Sequence, residues 1–400
     1  MLKVKTPDEV LGIIKNKLSY LKSSPESVKT IDAPGRVLYE DIVSDENVPG
    51  FNRSTVDGFA VLASDTFGCS ESIPTVLTIA GEVLMGESAE FQLSPGTCVI
   101  VSTGGDIPSG ANAVIMIENT EDYGSGMIGI QKSAAPGNNV IFKGDDITVG
   151  DVVLTAGTVL TPHDIGILSA LGYTEVNVSS KPLIGIISTG DELVPTSSIP
   201  ERGQIRDVNT PMLMTIVKRI GADAIEYGII KDDEAALREA VVSAADICDV
   251  ILLSGGSSAG IRDLTARVIE SEGELLLHGI AMKPGKPTIL GLVNEIPIFG
   301  LPGHPVAAYL VTELFVRPLI AMLMGADEKQ YTTRAILAEA ISSNHGREEY
   351  IAVRLIDGIT YPVRGKSGLI ASLAGVDGYI CIPRDCEGFA KGTEVIVVYF

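Results

Sequence analysis

Lys283 and Lys286 bracket a Pro-Gly pair, which holds two ammonium groups near each other at a set angle, as a phosphate or another oxyanion would require. Upstream, residues 249–263 read Asp-Val-Ile-Leu-Leu-Ser-Gly-Gly-Ser-Ser-Ala-Gly-Ile-Arg-Asp. Val250 to Leu253 is a short apolar run of the kind buried on both faces of a parallel sheet, and Gly255, Gly256 and Gly260 then break it. These glycines can take positive φ and let a ligand meet bare backbone N–H groups, while Asp263 can cap a helix carrying Leu264, Val268 and Ile269. Ser254, Gly255, Gly256 and Ser258 are therefore candidate substrate-binding residues of an anion cradle. Paired lysines can be plain surface charge, but beside glycine loops oxyanion binding is the better account.

The same letters fit the GxSxG nucleophile elbow, with Ser258 as nucleophile and His278 or His304 as base. That elbow needs its serine on the strand-to-helix turn itself, and here several residues intervene, so the cradle is preferred. Asp57, Glu192, Asp232 and Asp263 add hard oxygen donors, which suit magnesium shared with a substrate phosphate rather than a closed protein cage. Asp232 and Asp263 also stand at expected helix starts, where each could simply cap, and Asp57-Gly58 reads locally as a turn.

Several chemistries are disfavoured. There is no GxxxxGK[ST] and no GxGxxG after a strand, which argues against P-loop ATP hydrolysis and NAD chemistry. His163, His278, His304 and His345 lack metal-ligand spacing, and the five cysteines are scattered without a CxxC pair, so no structural zinc is expected. A net charge of -21 argues against nucleic acid or anionic membrane as partner. An anionic substrate must then be held by local cations, helix N-termini or a bridging divalent ion. No signal peptide and no apolar run of about 18 residues are evident, and with the cysteine pattern this points to a reduced, cytoplasmic setting.

The elements that must position these residues follow from 400 residues, long enough for two to four domains, of which 45% are hydrophobic and 20% charged. Thr6-Pro-Asp-Glu9 is a capping box opening a helix with Val10, Ile13, Ile14, Leu18 and Leu21 on one face, a face suited to core or to a dimer contact. Residues 1–46 and 139–180 are expected to form one discontinuous domain, interrupted by a β domain at 47–138 with strands at Thr75, Cys98, Ala113 and Met127. Residues 181–325 alternate strand and helix, the mark of a parallel α/β domain, with one strand expected from Leu275 to Met282 and a helix from Pro305 to Met324 kinked or divided at Pro318. Residues 326–400 read as a small β barrel or sandwich. Parallel strands open their following loops on one edge, so the loops at 189–192, 232–233, 254–260, 283–286 and 301–305 are expected to converge on one cleft.

Taken in order, Pro49-x-Phe51-x-x-Ser54-x-x-Asp57-Gly58, Ser188-Thr-Gly-Asp-Glu192, Gly203-Gln-Ile-x-Asp207-x-Asn209, Ser254-Gly-Gly-x-Ser258-x-Gly260-x-x-Asp263, Lys283-Pro-Gly-Lys-Pro287 and Gly300-Leu-Pro-Gly-x-Pro305 resemble the MoeA family. These are molybdopterin molybdenumtransferases, similar to the C-terminal domain of gephyrin. The resemblance implies a four-part protomer: a discontinuous N-terminal domain, an inserted β domain, a three-layer α/β molybdopterin-binding-like domain and a C-terminal β barrel. It also implies a homodimer with its cleft between subunits, and insertion of molybdate or tungstate into adenylylated molybdopterin with release of AMP and a need for Mg²⁺. A separate adenylyltransferase would supply that pterin nucleotide.

Carried over by motif, Asp57, Thr103, Glu192, Asp232 and Asp263 would be the acidic and hydroxyl groups of the active site, with Glu192 and Asp232 as magnesium ligands. Lys283 and Lys286 would contact phosphate or oxyanion, Pro302 and Pro305 would shape the adjacent loop, and Arg347 with Ser367 would add contacts from the barrel. The chain departs from the family pattern at Val56, at Gly105-Asp106, at His304 where Asn is common and at Ala307 where Ser is common. The alternative is a non-catalytic scaffold or pterin-binding protein on the same fold.

Overall fold

Leu183–Thr189 and Val250–Gly255 are buried along almost their whole length, as strands covered by helices on two faces must be. They lie in a six-stranded sheet ordered Asp223–Ile230, Leu183–Thr189, Val250–Gly255, Ile296–Leu301, Ile289–Val293, Gly273–His278. The first four strands are parallel, Ile289–Val293 runs against them, and Gly273–His278 pairs antiparallel to it and so runs with the first four. The structure, a computed structural model, describes residues 4–90, 92–255, 259–327, 329–363, 365 and 367–400, and for 259–263 the helical backbone alone.

Alternate side chains of the sheet enter two cores. Ile184, Ile186, Val250 and Leu252 pack with Leu213 and Val217 of helix Asn209–Ile220 and with Phe315 and Leu319. Ile187, Ile251 and Leu253 face Leu237 and Val241 of helix Glu234–Ala245 and Val268 and Ile269 of helix Ala259–Glu272. The result is three layers. The stretch Pro305–Met324 is apolar enough to cross a membrane, yet 72% of its most apolar window is buried inside the fold, so it serves as a core helix. The interruption expected at Pro318 takes the form of a π-helical segment, Thr312–Val316, just before Arg317–Met324.

Three local expectations are corrected. The strand drawn from Leu275 to Met282 ends at His278, and Met282–Lys283 leaves the sheet to pair with Glu348 and Glu349 of the C-terminal domain. Ile289–Val293 and Ile296–Leu301 form a hairpin without a strong local turn signal, because its turn is Asn294-Glu295, both at positive φ, rather than the familiar Asn-Gly. Neither Asp232 nor Asp263 is a cap. Asp233 accepts the Ala236 N–H at 2.9 Å, and the helix holding Asp263 already begins at Ala259.

The C-terminal strands Glu348–Ile356, Ile359–Pro362, Thr332–Leu337, Glu394–Tyr399 and Gly378–Ile382 close into a barrel, the last pairing back onto the first. The capping box at Thr6 and Glu9 is formed, and Val10, Ile14 and Leu18 are spent on the α/β core rather than left as an outer face. By contacts, Met1–Tyr39, Ala156–Thr161 and Val176–Phe400 make one unit, and Glu40–Thr155 with Pro162–Glu175 makes a second. The second unit is built on a six-stranded sheet ordered Ala113–Met116, Gly58–Val61, Thr97–Val101, Thr75–Val83, Met127–Ile130, Thr120–Gly124.

Phe299, wholly buried in the strand leading to the 301–305 loop, measures how much that strand carries. Phe299→Ala is expected to lower stability by about 3–5 kcal/mol in chemical denaturation.

Candidate active site

The loops after Thr189, Ile230, Gly255 and Leu301 leave the same edge of the sheet. Register pairing of Ile289 with Gly300 brings the end of the 283–288 segment to that edge as well. The shared edge expected from the alternating pattern is present in the first unit, but the 302–305 loop there lies between two cavities instead of lining the single cleft expected, and neither cavity is lined by residues 232–233. One, of about 840 Å³, is lined by Lys283, Lys286, Pro302, Arg347, Glu349 and Ser367. The other, of about 660 Å³, is lined by Thr189, Glu192, Asn209, Ser254, Gly255 and Pro305. His304 borders both.

The first cavity carries a surplus of positive charge. Lys283 Nζ lies 2.7 Å from Glu349 Oε1, and the same carboxylate accepts Ser343 Oγ at 2.7 Å. Neither Lys286 nor Arg347 has an ion partner among the described residues. Gly285 joins the lysines at φ +117°, and a Cβ there would stand 2.9 Å from Val311 Cγ2, so the turn requires glycine.

The second cavity is held together by short polar contacts at strand ends. Asp207 Oδ1 accepts the N–H groups of Asn209 and Thr210, both at 3.1 Å, closing the start of helix Asn209–Ile220. Asn209 Nδ2 donates to Ser254 Oγ at 2.8 Å and to the Gly303 carbonyl at 3.0 Å, tying two loops to that helix. Thr189 Oγ1 donates to Asp232 Oδ1 at 2.8 Å, so Asp232, released from capping, braces the cavity wall from behind. A Cβ on Gly255 would lie 2.2 Å from Thr189 Cγ2 and 2.4 Å from its carbonyl oxygen, so only glycine permits this approach.

In the second unit, Asp57 and Thr103 form their own pair. Asp57 Oδ1 accepts the Thr103 N–H at 2.7 Å and its hydroxyl at 3.0 Å. These two donors, the backbone N–H first, hold the Asp57 carboxyl below the usual carboxylate range. Gly104 N–H donates to the Ser54 carbonyl at 2.7 Å, folding the loop back onto the Asp57 segment. Gly58 opens a strand rather than completing a turn, since a Cβ there would lie 1.9 Å from the Ile115 carbonyl oxygen.

A family model for the MoeA N-terminal region, domains I and II, matches residues 5–172. A second, described as "Probable molybdopterin binding domain", matches 185–322, and the MoeA C-terminal region, domain IV, matches 334–400. A molybdopterin molybdenumtransferase of Bacillus subtilis is 33% identical over 100% of this chain and 95% of its own length. One from Haemophilus influenzae is 36% identical over 75% of this chain and 72% of its own. The crystal structure of a molybdopterin biosynthesis MoeA protein from Pyrococcus horikoshii superposes with a TM-score of 0.89 at 36% identity, covering 100% of both chains. The chain belongs to the MoeA family.

In this MoeA chain, Lys283, Lys286, Pro302, Arg347 and Ser367 meet at one cavity, and Glu192, Ser254, Gly255 and Pro305 at its neighbour. Asp232 reaches the second cavity only through Thr189. Gly256, Ser258 and the side chain of Asp263 lie outside the described residues. The sequence motif around Asp207 and Asn209 carries no local sign of their role, and only the folded contacts reveal that they position the Ser254 strand end. Among the described residues no three His, Cys, Asp or Glu side chains converge to hold a metal ion.

Two outcomes test this geometry. Gly255→Ala is expected to force the strand ends apart and lower stability by about 1–3 kcal/mol in chemical denaturation. For Asp57 the sign follows from its lowered pKa: the latch on Thr103 is intact at neutral pH and is lost as pH falls through the lowered value. Asp57→Asn should therefore speed exchange of the Thr103 amide several-fold at neutral pH, as seen by hydrogen exchange. An unchanged rate would show that the carboxylate does not hold the loop.

Proposed function

We propose that this MoeA chain is a molybdopterin molybdenumtransferase of molybdenum cofactor biosynthesis, taking molybdate and adenylylated molybdopterin and releasing AMP. The observation that carries the reading is the pair of cavities on either side of His304, one rich in cations and the other lined by a glycine loop and Glu192. Molybdate is a tetrahedral dianion. In a chain of net charge -21 it needs a local positive field, and Lys283, Lys286 and Arg347 against Glu349 supply one. The glycine loop at Ser254-Gly255, on the edge where nucleotides meet parallel sheets, suits the phosphates of the pterin nucleotide.

The remaining roles follow the same reading. An oxo group replaced by thiolate sulfur leaves as water, so protons must be delivered and removed, work open to Glu192 and Asp57. Thr103 orients Asp57, and Asp232 orients Thr189. Asp263, Gly256 and Ser258 complete the cradle in this proposal. Magnesium, held by Glu192 and substrate phosphate oxygens, would neutralise charge on the anhydride. Tungstate, of the same charge and shape, would occupy the molybdate position. Self-association as a homodimer belongs to the same reading. An adenylyltransferase would hand over the pterin nucleotide, and five free cysteines fit a reducing cytoplasm.

The decisive measurement mixes the protein with adenylylated molybdopterin, magnesium and molybdate or tungstate, following AMP release and metal bound to pterin. Coupled release and incorporation are expected. Binding of the pterin without AMP release under every condition would overturn the transferase reading in favour of a scaffold. Lys286→Ala should raise the molybdate concentration needed for half-maximal rate about 10- to 100-fold, the effect of losing a hydrogen bond to a charged group.

A further inference from the structure

The glycine-loop cavity carries an electrostatic conflict that its neighbour does not. Glu192 and Asp207 both line it, and among the described residues Arg206 is the one lysine or arginine that does so. His304 borders it too, but its Nδ1 lies 2.8 Å from Ser367 Oγ in the lysine-lined cavity. Asp207 is committed to the start of helix Asn209–Ile220, whose N–H groups answer its charge. A phosphate entering beside these carboxylates needs a cation, and Arg206 is placed to supply it.

Arg206 sits on a small ribbon in which Leu193–Val194 runs parallel to Ile205–Arg206. The Ile205 N–H donates to the Glu192 carbonyl at 2.8 Å and the Asp207 N–H to the Val194 carbonyl at 2.9 Å, so the ribbon is tied down on both sides of Arg206. Its connecting loop is braced as well: Glu201 N–H donates to Gln204 Oε1 and Ser198 N–H to the Pro195 carbonyl, both at 3.0 Å. Arg206 Nε donates to the Ser198 carbonyl at 2.9 Å, which fixes the guanidinium against that loop. This uses one of its five N–H groups. The terminal nitrogens have no carboxylate partner among the described residues, and Arg206 is exposed. A guanidinium held by Nε and open at both Nη atoms is the arrangement that grips two oxygens of one phosphate.

We propose that Arg206 is a specificity-determining residue for the phosphate of the pterin nucleotide, gripping two of its oxygens through Nη1 and Nη2 in the glycine-loop cavity. The proposal rests on the transferase reading above. The Ser254-Gly255 segment meets the phosphate from the sheet edge, and Arg206 meets it from the ribbon. Pairing with the guanidinium offsets repulsion from Glu192, so carboxylate and phosphate can share the cavity. Arg206 takes part in no bond-making step; it selects ligands that carry a phosphate over those that lack one. A lysine there would keep the charge but present a single point in place of a fork.

The test measures binding of AMP and of adenosine by calorimetry to wild type, Arg206→Lys and Arg206→Gln, with inorganic molybdate as the control for the other cavity and KM for the pterin nucleotide alongside. Arg206 is exposed, so neither variant opens the core. Wild type is expected to bind AMP at least about tenfold more tightly than adenosine. Arg206→Gln should weaken AMP about 10- to 100-fold, the effect of losing hydrogen bonds to a charged group, while adenosine and molybdate stay within about threefold. Arg206→Lys should fall between the two, and KM for the pterin nucleotide should rise in step with the weakening of AMP. The assignment is overturned if wild type shows no preference for AMP, if Arg206→Gln keeps that preference, or if adenosine weakens as much as AMP, the mark of a ribbon that has merely lost its shape. Wild type that never releases AMP from the pterin nucleotide, yet keeps an Arg206-dependent preference for AMP, overturns the transferase reading alone.

Discussion

Burial of parallel strands on both faces is the constraint from which the rest of this structure follows. Leu183–Thr189 and Val250–Gly255 present apolar side chains to helices above and below, leaving no polar side chain free to act except at the strand ends. The chain therefore spends its polar residues there. Thr189, Ser254 and the 301–305 loop sit side by side because their strands are neighbours in register. Gly255 lets the first two come closer than any side chain would allow.

Close approach of polar strand ends has to be satisfied by hydrogen bonds, and the residues that do so set the positions of the residues that line the cavity. Asp207 closes a helix start, which sets Asn209, which then grips Ser254 and the Gly303 carbonyl. Asp232 performs the same service for Thr189. An acid in such a position holds its neighbours by hydrogen bonds, so its removal disturbs geometry first and charge second. Asp57 and Thr103 repeat the arrangement in the other unit, a carboxylate held by a backbone N–H and a hydroxyl from one residue.

Charge is distributed with comparable economy. The chain is strongly acidic, and Lys283, Lys286 and Arg347 share one cavity wall where their field is not cancelled by Glu349 alone. Lys283 owes its place to a strand pairing between the α/β region and the barrel, since Met282–Lys283 runs beside Glu348 and Glu349. The same junction brings Ser367 against His304. The barrel thus completes a site that the α/β layer begins.

Much of this was legible in the letters alone, where the physics is short-range. The capping box at Thr6 needs only residues three apart, the α/β alternation needs only periodicity, and Gly255 with Lys283 and Lys286 marks segments that line the two cavities. The barrel, too, could be read from short strands divided by turn residues. What the chain could not reveal by itself were choices among equivalent local options. Asp232 and Asp233 are both fit to cap, and which one does so depends on Thr189 competing for the other. Asn294 takes positive φ readily, whereas Glu295 does so because the flanking strands are held by the sheet. His304 meets a serine 63 positions away, and no pattern within a window of sequence encodes that distance. Local hydrogen bonds and burial periodicity are properties of segments; long-range partners are decided only when segments compete for the same space.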